Sequence, residues 1–277
     1  MKYAICNETF HDRTLAAGLE YAKACGYTGI EIAPFTLATY ATEITPSRRA
    51  EVRQLINDQG LEVVGLHWLL AKTEGFHLTT PDQTVQNRTA EYLIELTRLC
   101  RDLGGGIMVL GSPQQRNLAA GMNHEQGMDL AAQCLEKVLP TLAECQVTLA
   151  IEPLGPSEGN FLNTASAGVE LIERLNSSWV GLHLDVKAMA SEETPIAEII
   201  RGNARYLKHF HANDPNKQGP GFGKVDFVPI IDALREIRYD GWVSVEVFDY
   251  TPGVERLARQ SLEYLQKCAR AGNASQP

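Results

Sequence analysis

Val180-Gly181-Leu182-His183-Leu184-Asp185 and Tyr206-Leu207-Lys208-His209-Phe210-His211 are two runs of one design. Each is short and largely apolar, and each ends in a side chain able to hold a proton or a cation. Strands buried on both faces of a parallel sheet read this way. Working outward, similar runs occur at Tyr3–Cys6, Gly29–Ile32, Leu61–His67, Ile107–Leu110, Val147–Glu152 and Trp242–Val247, making eight in all. Longer segments with helix signals lie between them. Thr14 to Cys25 carries Leu15, Leu19 and Ala22 on one face. Thr45-Pro46 and Thr80-Pro81 set a hydroxyl residue before an early proline, as helix starts prefer. Gly104-Gly105-Gly106 ends the segment opened at Thr80. Gln126 to Cys145 reads as one helix that Pro140 kinks or divides. Segments 164–175, 195–200, 226–237 and 252–269 complete the alternation.

Eight strands alternating with eight helices predict a (β/α)8 TIM barrel, an α/β single domain over residues 1–270, with 271–277 a disordered tail. The 277 residues suit such a barrel, for which about 250 is typical. No G-x-G-x-x-G follows the first run, which speaks against a dinucleotide-binding sheet. The formal net charge of −9 gives no reason to bind nucleic acid or an anionic membrane. The N-terminus lacks a leader pattern, and no run is long enough to span a bilayer, so a cytoplasmic protein is expected. The six cysteines include no C-x-x-C pair and are expected to be buried free thiols.

In such a barrel the chemistry sits at the C-terminal ends of the strands. The third run ends at His67, the fifth at Glu152, the sixth at Asp185, the seventh at His211 and the eighth at Glu246. Glu152, Asp185, His211 and Glu246 are therefore expected to converge. Three carboxylates in one mouth repel one another without a cation. Oxygen and imidazole donors without thiolate suit one divalent ion, Mn²⁺ first, with Mg²⁺, Co²⁺ or Zn²⁺ as alternatives. Glu152 and Glu246, three steps apart around the ring, would approach a held sugar from different sides. One could take a proton beside a carbonyl while the other returns it, which predicts them as the catalytic acid/base pair. Ser112 and Arg116, after the fourth run, and Lys187, after the sixth, are candidate substrate contacts. His183 and Lys208 are read as pointing away from the ligands, and His209 as packing against a helix. Trp68 and Phe248 follow strand ends, where a ring can stack on a sugar.

Ile151-Glu152-Pro153, Asn163-Thr164, His183-Leu184-Asp185, His209-Phe210-His211 with Asp214, Gly221 to Phe227, and Val245-Glu246 together resemble the xylose isomerase-like barrel superfamily of sugar phosphate isomerases and epimerases. Within it they look most like the ketose 3-epimerases of the D-tagatose/D-psicose type. The resemblance implies the same four-residue metal shell and the same acid/base pair. It adds Glu158 as a sugar contact, His67 as a pocket-lining histidine, and Lys217 where those epimerases carry an arginine. Ala188 stands where they carry a histidine, so the substrate is expected to differ. The trinuclear-zinc endonucleases of the superfamily carry further ligands that are not matched here.

The reading is thus a metal-dependent isomerase or epimerase of a ketose or keto-sugar, working through proton abstraction next to a carbonyl. The alternatives are a lyase that cleaves 3-keto-glycosides by β-elimination and a non-catalytic sugar-binding subunit. The expected partners are a small sugar and further copies of the chain, as a dimer or tetramer.

Overall fold

A computed structural model describes residues 1–274 as one closed barrel. Its strands are β1 (Lys2–Cys6), β2 (Gly29–Ile32), β3 (Glu62–Leu66), β4 (Ile107–Leu110), β5 (Thr148–Ile151), β6 (Val180–Asp185), β7 (Leu207–Ala212) and β8 (Trp242–Val245). They pair in chain order, all parallel, and β1 meets β8 from Lys2↔Trp242 to Ile5↔Val245. Between them run α1 (Leu15–Cys25), α2 (Pro46–Asp58), α3 (Gln83–Leu103), α4 (His124–Glu136), α5 (Leu139–Cys145), α6 (Ala165–Leu175), α7 (Val186–Met189), α8 (Ile196–Gly202), α9 (Val228–Glu236) and α10 (Val254–Ala274).

Local chemistry sets the helix ends. The Thr14 and Thr45 hydroxyls accept from Ala17 N and Arg48 N, and Gly26 and Gly104 take the left-handed position after α1 and α3. The third helix begins later than Thr80-Pro81 suggests, because Asp82 accepts from Thr84 N and Val85 N and is the better cap. The segment through Pro140 divides as expected, since proline is accommodated in the first turn of α5. The last helix runs to Ala274, past the expected start of a tail at 271; residues 275–277 lie outside the described residues.

Outward-facing strand residues such as Ile5, Leu149 and Phe210 pack with the helices in the main core. Inside the barrel the packing differs by level. At the N-terminal end Ala4, Val64 and Trp242 form a separate apolar plug. The Trp242 ring fills the space beside Gly29, where a Cβ would lie 2.5 Å from it. Above the plug the interior is polar. Two register shifts, at Ile30/Glu31 in β2 and Leu182/His183 in β6, fall at polar residues of this interior. Irregularities of this kind re-aim side chains near barrel rims. No helix among the described residues is long and apolar enough to cross a membrane, and all six cysteines are free.

Candidate active site and metal centre

The C-terminal strand ends bring four of the expected side chains together. Glu152 follows β5, Asp185 ends β6, His211 lies in β7 and Glu246 follows β8, and none is more than 8% exposed. His211 Nδ1 lies 3.2 Å from Glu246 Oε2. Asn213 Nδ2 donates to Asp185 Oδ2 at 2.5 Å and to Glu246 Oε2 at 3.4 Å, bridging two of the acids. The other Asp185 oxygen accepts from Ala188 N at 2.8 Å, capping α7. Trp68, whose backbone is left-handed (φ 53°), turns its ring back so that Nε1 donates to Glu246 Oε1 at 2.8 Å. Glu152 lies against the end of β4: a Cβ on Gly111 would stand 1.6 Å from Glu152 Oε2, so only glycine leaves the carboxylate room.

Two histidines are corrections to the sequence reading. His183 does not point away from the ligands; its ring packs 4.1 Å from that of His211, with Nε2 3.7 Å from Glu152 Oε1. His209 does not pack against a helix; its Nε2 lies 2.8 Å from Glu31 Oε2 inside the barrel. The reason is strand parity. His183 and Asp185, like His209 and His211, are two residues apart and share a face. Lys208, one residue off, is exposed as expected.

Below the four-residue group lies a layer that the sequence reading passed over. Glu31 of β2, 1% exposed, meets His209 and also His211 Nε2, the latter at 3.1 and 3.2 Å from its two oxygens. Glu8 Oε2 lies 2.8 Å from His67 Nε2, and Cys6 Sγ lies 4.0 Å from His211 Nε2. An acid inside the apolar run Gly29–Ile32 is the signal that marks this layer, because a buried carboxylate needs a partner.

The electrostatics differ between the two levels. Burial pushes Glu152 up to about 8, and the charges of Glu246 and Asp185 add to the push. Asp185 is also raised, by burial ahead of Glu246 and against the pull of Lys187. Glu246 feels the same burial, but the charge and hydrogen bond of His211 outweigh it and its carboxyl sits below the usual range. Glu31 is held well below that range because His209 and His211 outweigh its burial. The upper group is thus three crowded acids that lean on His211 and Lys187 for positive charge. One donor atom each from Glu152, His183, Asp185 and His211 lies within 4.8 Å of the others, and both His183 ring nitrogens lack hydrogen-bond partners. A small divalent cation fits this donor set, with Glu246 beside it on His211.

The candidate substrate contacts separate. A cleft of about 450 Å³ opens over Glu152 and Glu246, walled by Trp68 and Phe248. Glu158 and Ser112 line it. Lys187 Nζ pairs with Glu158 at 2.5 Å and lies 5.1 Å from the Phe248 ring centre. Arg116, His67 and Lys217 do not line it. Arg116 is 2% exposed and donates to the Leu110 and Glu152 carbonyls, holding the two strand ends together. His67 is sealed beneath, on Glu8. Lys217 is exposed on a left-handed turn whose carbonyl accepts from Phe248 N and Asp249 N.

Comparison with known proteins is consistent with this geometry. A family model described as "Xylose isomerase-like TIM barrel" matches residues 19–268. An L-ribulose 3-epimerase of Mesorhizobium japonicum is 34% identical over 188 residues, covering 66% of this chain but only 62% of that enzyme. A probable ketose 3-epimerase of Synechocystis is 26% identical over 264 residues, covering 89% and 88% of the two chains. The structure of a D-psicose 3-epimerase from Clostridium cellulolyticum H10, solved with D-tagatose, superposes with a TM-score of 0.84 at 20% identity, covering 97% of this chain and 99% of that one. At that identity the likeness speaks for the fold alone.

Proposed function

Because the chain belongs to the xylose isomerase-like TIM barrel family, we propose that it is a metal-dependent sugar epimerase acting on a ketose or keto-sugar. The observation that carries the proposal is a pair of buried carboxylates, Glu152 from β5 and Glu246 from β8, on the floor of one cleft. A pure binding site has no need of two acids there. The kinship with ketose 3-epimerases supports the same reaction class.

We take Glu152, Asp185, His211 and Glu246 to hold the cation, with His183, whose donor atom clusters with those of the first three, against them. When bound, a divalent ion, manganese first, polarises the sugar carbonyl and stabilises negative charge on its oxygen. The chain supplies the rest. Glu246, kept ionised beside His211, takes the proton from the carbon next to the carbonyl. Glu152, from the opposite side of the sugar, returns a proton to the other face, and the roles exchange in the reverse direction. The Trp68 indole holds one Glu246 oxygen in place. Gly111 lets Glu152 lie flat against the cleft. Trp68 and Phe248, with ring centres 5.9 Å apart, shield the reacting carbon from water.

Incubating the Mn²⁺-loaded protein with ketoses in D2O tests the reading. Deuterium beside the carbonyl together with an inverted centre is expected. Exchange followed by loss of an aglycone from a 3-keto-glycoside would assign a lyase instead. Sugar binding with no exchange on any ketose or keto-glycoside would leave only a binding protein.

A further inference from the structure

The cleft is larger than the reaction requires. A six-carbon sugar has about a dozen non-hydrogen atoms. Even if each took a water's ~30 Å³ share of liquid, it would fill about 360 Å³. The cleft holds about 450 Å³. Besides Glu152 and Glu246, it is lined from the loops that follow β3 and β4, by Lys72, Gln114 and Gln115 among others. No hydrogen bond or ion pair engages the side-chain amides of Gln114 and Gln115 among the described residues. The Lys72 ammonium has no acidic partner either and rests 4.0 Å over the Phe35 ring.

The two loops are laced into one platform. Ser112 Oγ accepts from Leu70 N at 3.1 Å, and Leu78 N donates to Gln115 O at 2.6 Å. Thr79 Oγ1 contacts the Arg116 and Asn117 carbonyls at 3.2 and 3.1 Å. These bonds fix the backbone that carries the two amides, so a ligand has only their side-chain torsions left to order. Each amide both donates and accepts, which matches sugar hydroxyls. Trp68 gives the adjoining wall an aromatic face. One ammonium without a helix N-terminus is poor provision for a phosphate, which wants several cations or a row of backbone N–H groups.

We propose that Lys72, Gln114 and Gln115 form a subsite for a second, uncharged sugar unit, and that the substrate is a keto-sugar carried as a glycoside rather than a free ketose. The subsite rests on the proposed epimerase function for its meaning but not for its detection. Two or three hydrogen bonds of ordinary net strength correspond to a preference of about tenfold or more.

The test compares D-fructose, methyl 3-dehydroglucoside and 3-dehydrolactose, with Mn²⁺-loaded protein, by deuterium incorporation and by titration calorimetry. The expected result is kcat/KM and affinity about tenfold higher for the disaccharide than for the methyl glycoside. That ratio should fall toward one in the K72A/Q114A/Q115A variant, whose fold is checked by its melting temperature. Exchange on all three compounds with no preference for the disaccharide overturns the subsite and leaves the epimerase standing. A disaccharide preference in binding, lost in the variant but without exchange on any compound, keeps the subsite and overturns the epimerase. Equal binding and no exchange remove both.

Discussion

The two polar levels of the barrel interior handle buried charge in opposite ways. In the lower one every acid has an imidazole: Glu31 sits on His209 and His211, and Glu8 on His67. In the upper one Glu152, Asp185 and Glu246 share His211, His183 and the amide of Asn213, and they face a cleft. The lower level neutralises itself and is sealed; the upper level leaves negative charge unspent where a ligand can arrive. His211 belongs to both, with Nε2 toward Glu31 and Nδ1 toward Glu246. The difference separates a self-neutralised layer from one that meets the cleft, although both are built from the same residue types.

The sharpest way to break the distinction is Glu246→Gln. It removes a proton carrier from the upper level at nearly constant size, so kcat should fall about 10²–10⁴-fold. Sugar affinity, read by calorimetry, should change far less. A near-normal kcat would sink the two-carboxylate mechanism. Glu31→Gln attacks the lower level instead. It leaves His209 and His211 without their charged partner, so about 3 kcal/mol of stability should be lost in chemical denaturation. Mn²⁺ affinity should weaken about 10–100-fold, because the ring that presents Nδ1 is no longer anchored. Unchanged Mn²⁺ affinity would show that the two levels are independent.

Gly111→Ala probes position alone. The added methyl would occupy the place of Glu152 Oε2, and a carboxylate moved by about 1 Å should lower kcat about 100-fold. A kcat within a few-fold of the wild type would mean that the Glu152 position is not critical. The smallest effect belongs to Lys208→Ala, on the same strand as His209 and His211 but facing solvent. It should change stability by no more than about 0.5 kcal/mol and leave kcat alone. A large effect there would contradict the division between inward and outward faces.

Much of this was legible from the chain. Short apolar runs at regular spacing fixed the barrel, and the polar residue closing each of the last four runs picked out the upper group. Position within a strand was the weak link. His183 and His209 were assigned the wrong side although a spacing of two keeps neighbours together. Glu31 was hidden because a single acid hardly disturbs an apolar run. Glu8 follows β1 in a tight turn, and Trp68 depends on a left-handed backbone that sends its indole back over the strand end. Arg116 and Lys217 looked alike as cations near the mouth. Only loop conformation sends one into the wall and the other to the surface, and no local pattern announces that choice.

The Trp242 plug stops the cylinder at its N-terminal end. With Ala4, Val64 and Gly29 packed around the indole, a sugar reaches the two acids through the cleft at the opposite end, which Glu152 and Glu246 themselves line. Product leaving by that cleft would have to clear it before the next molecule could settle.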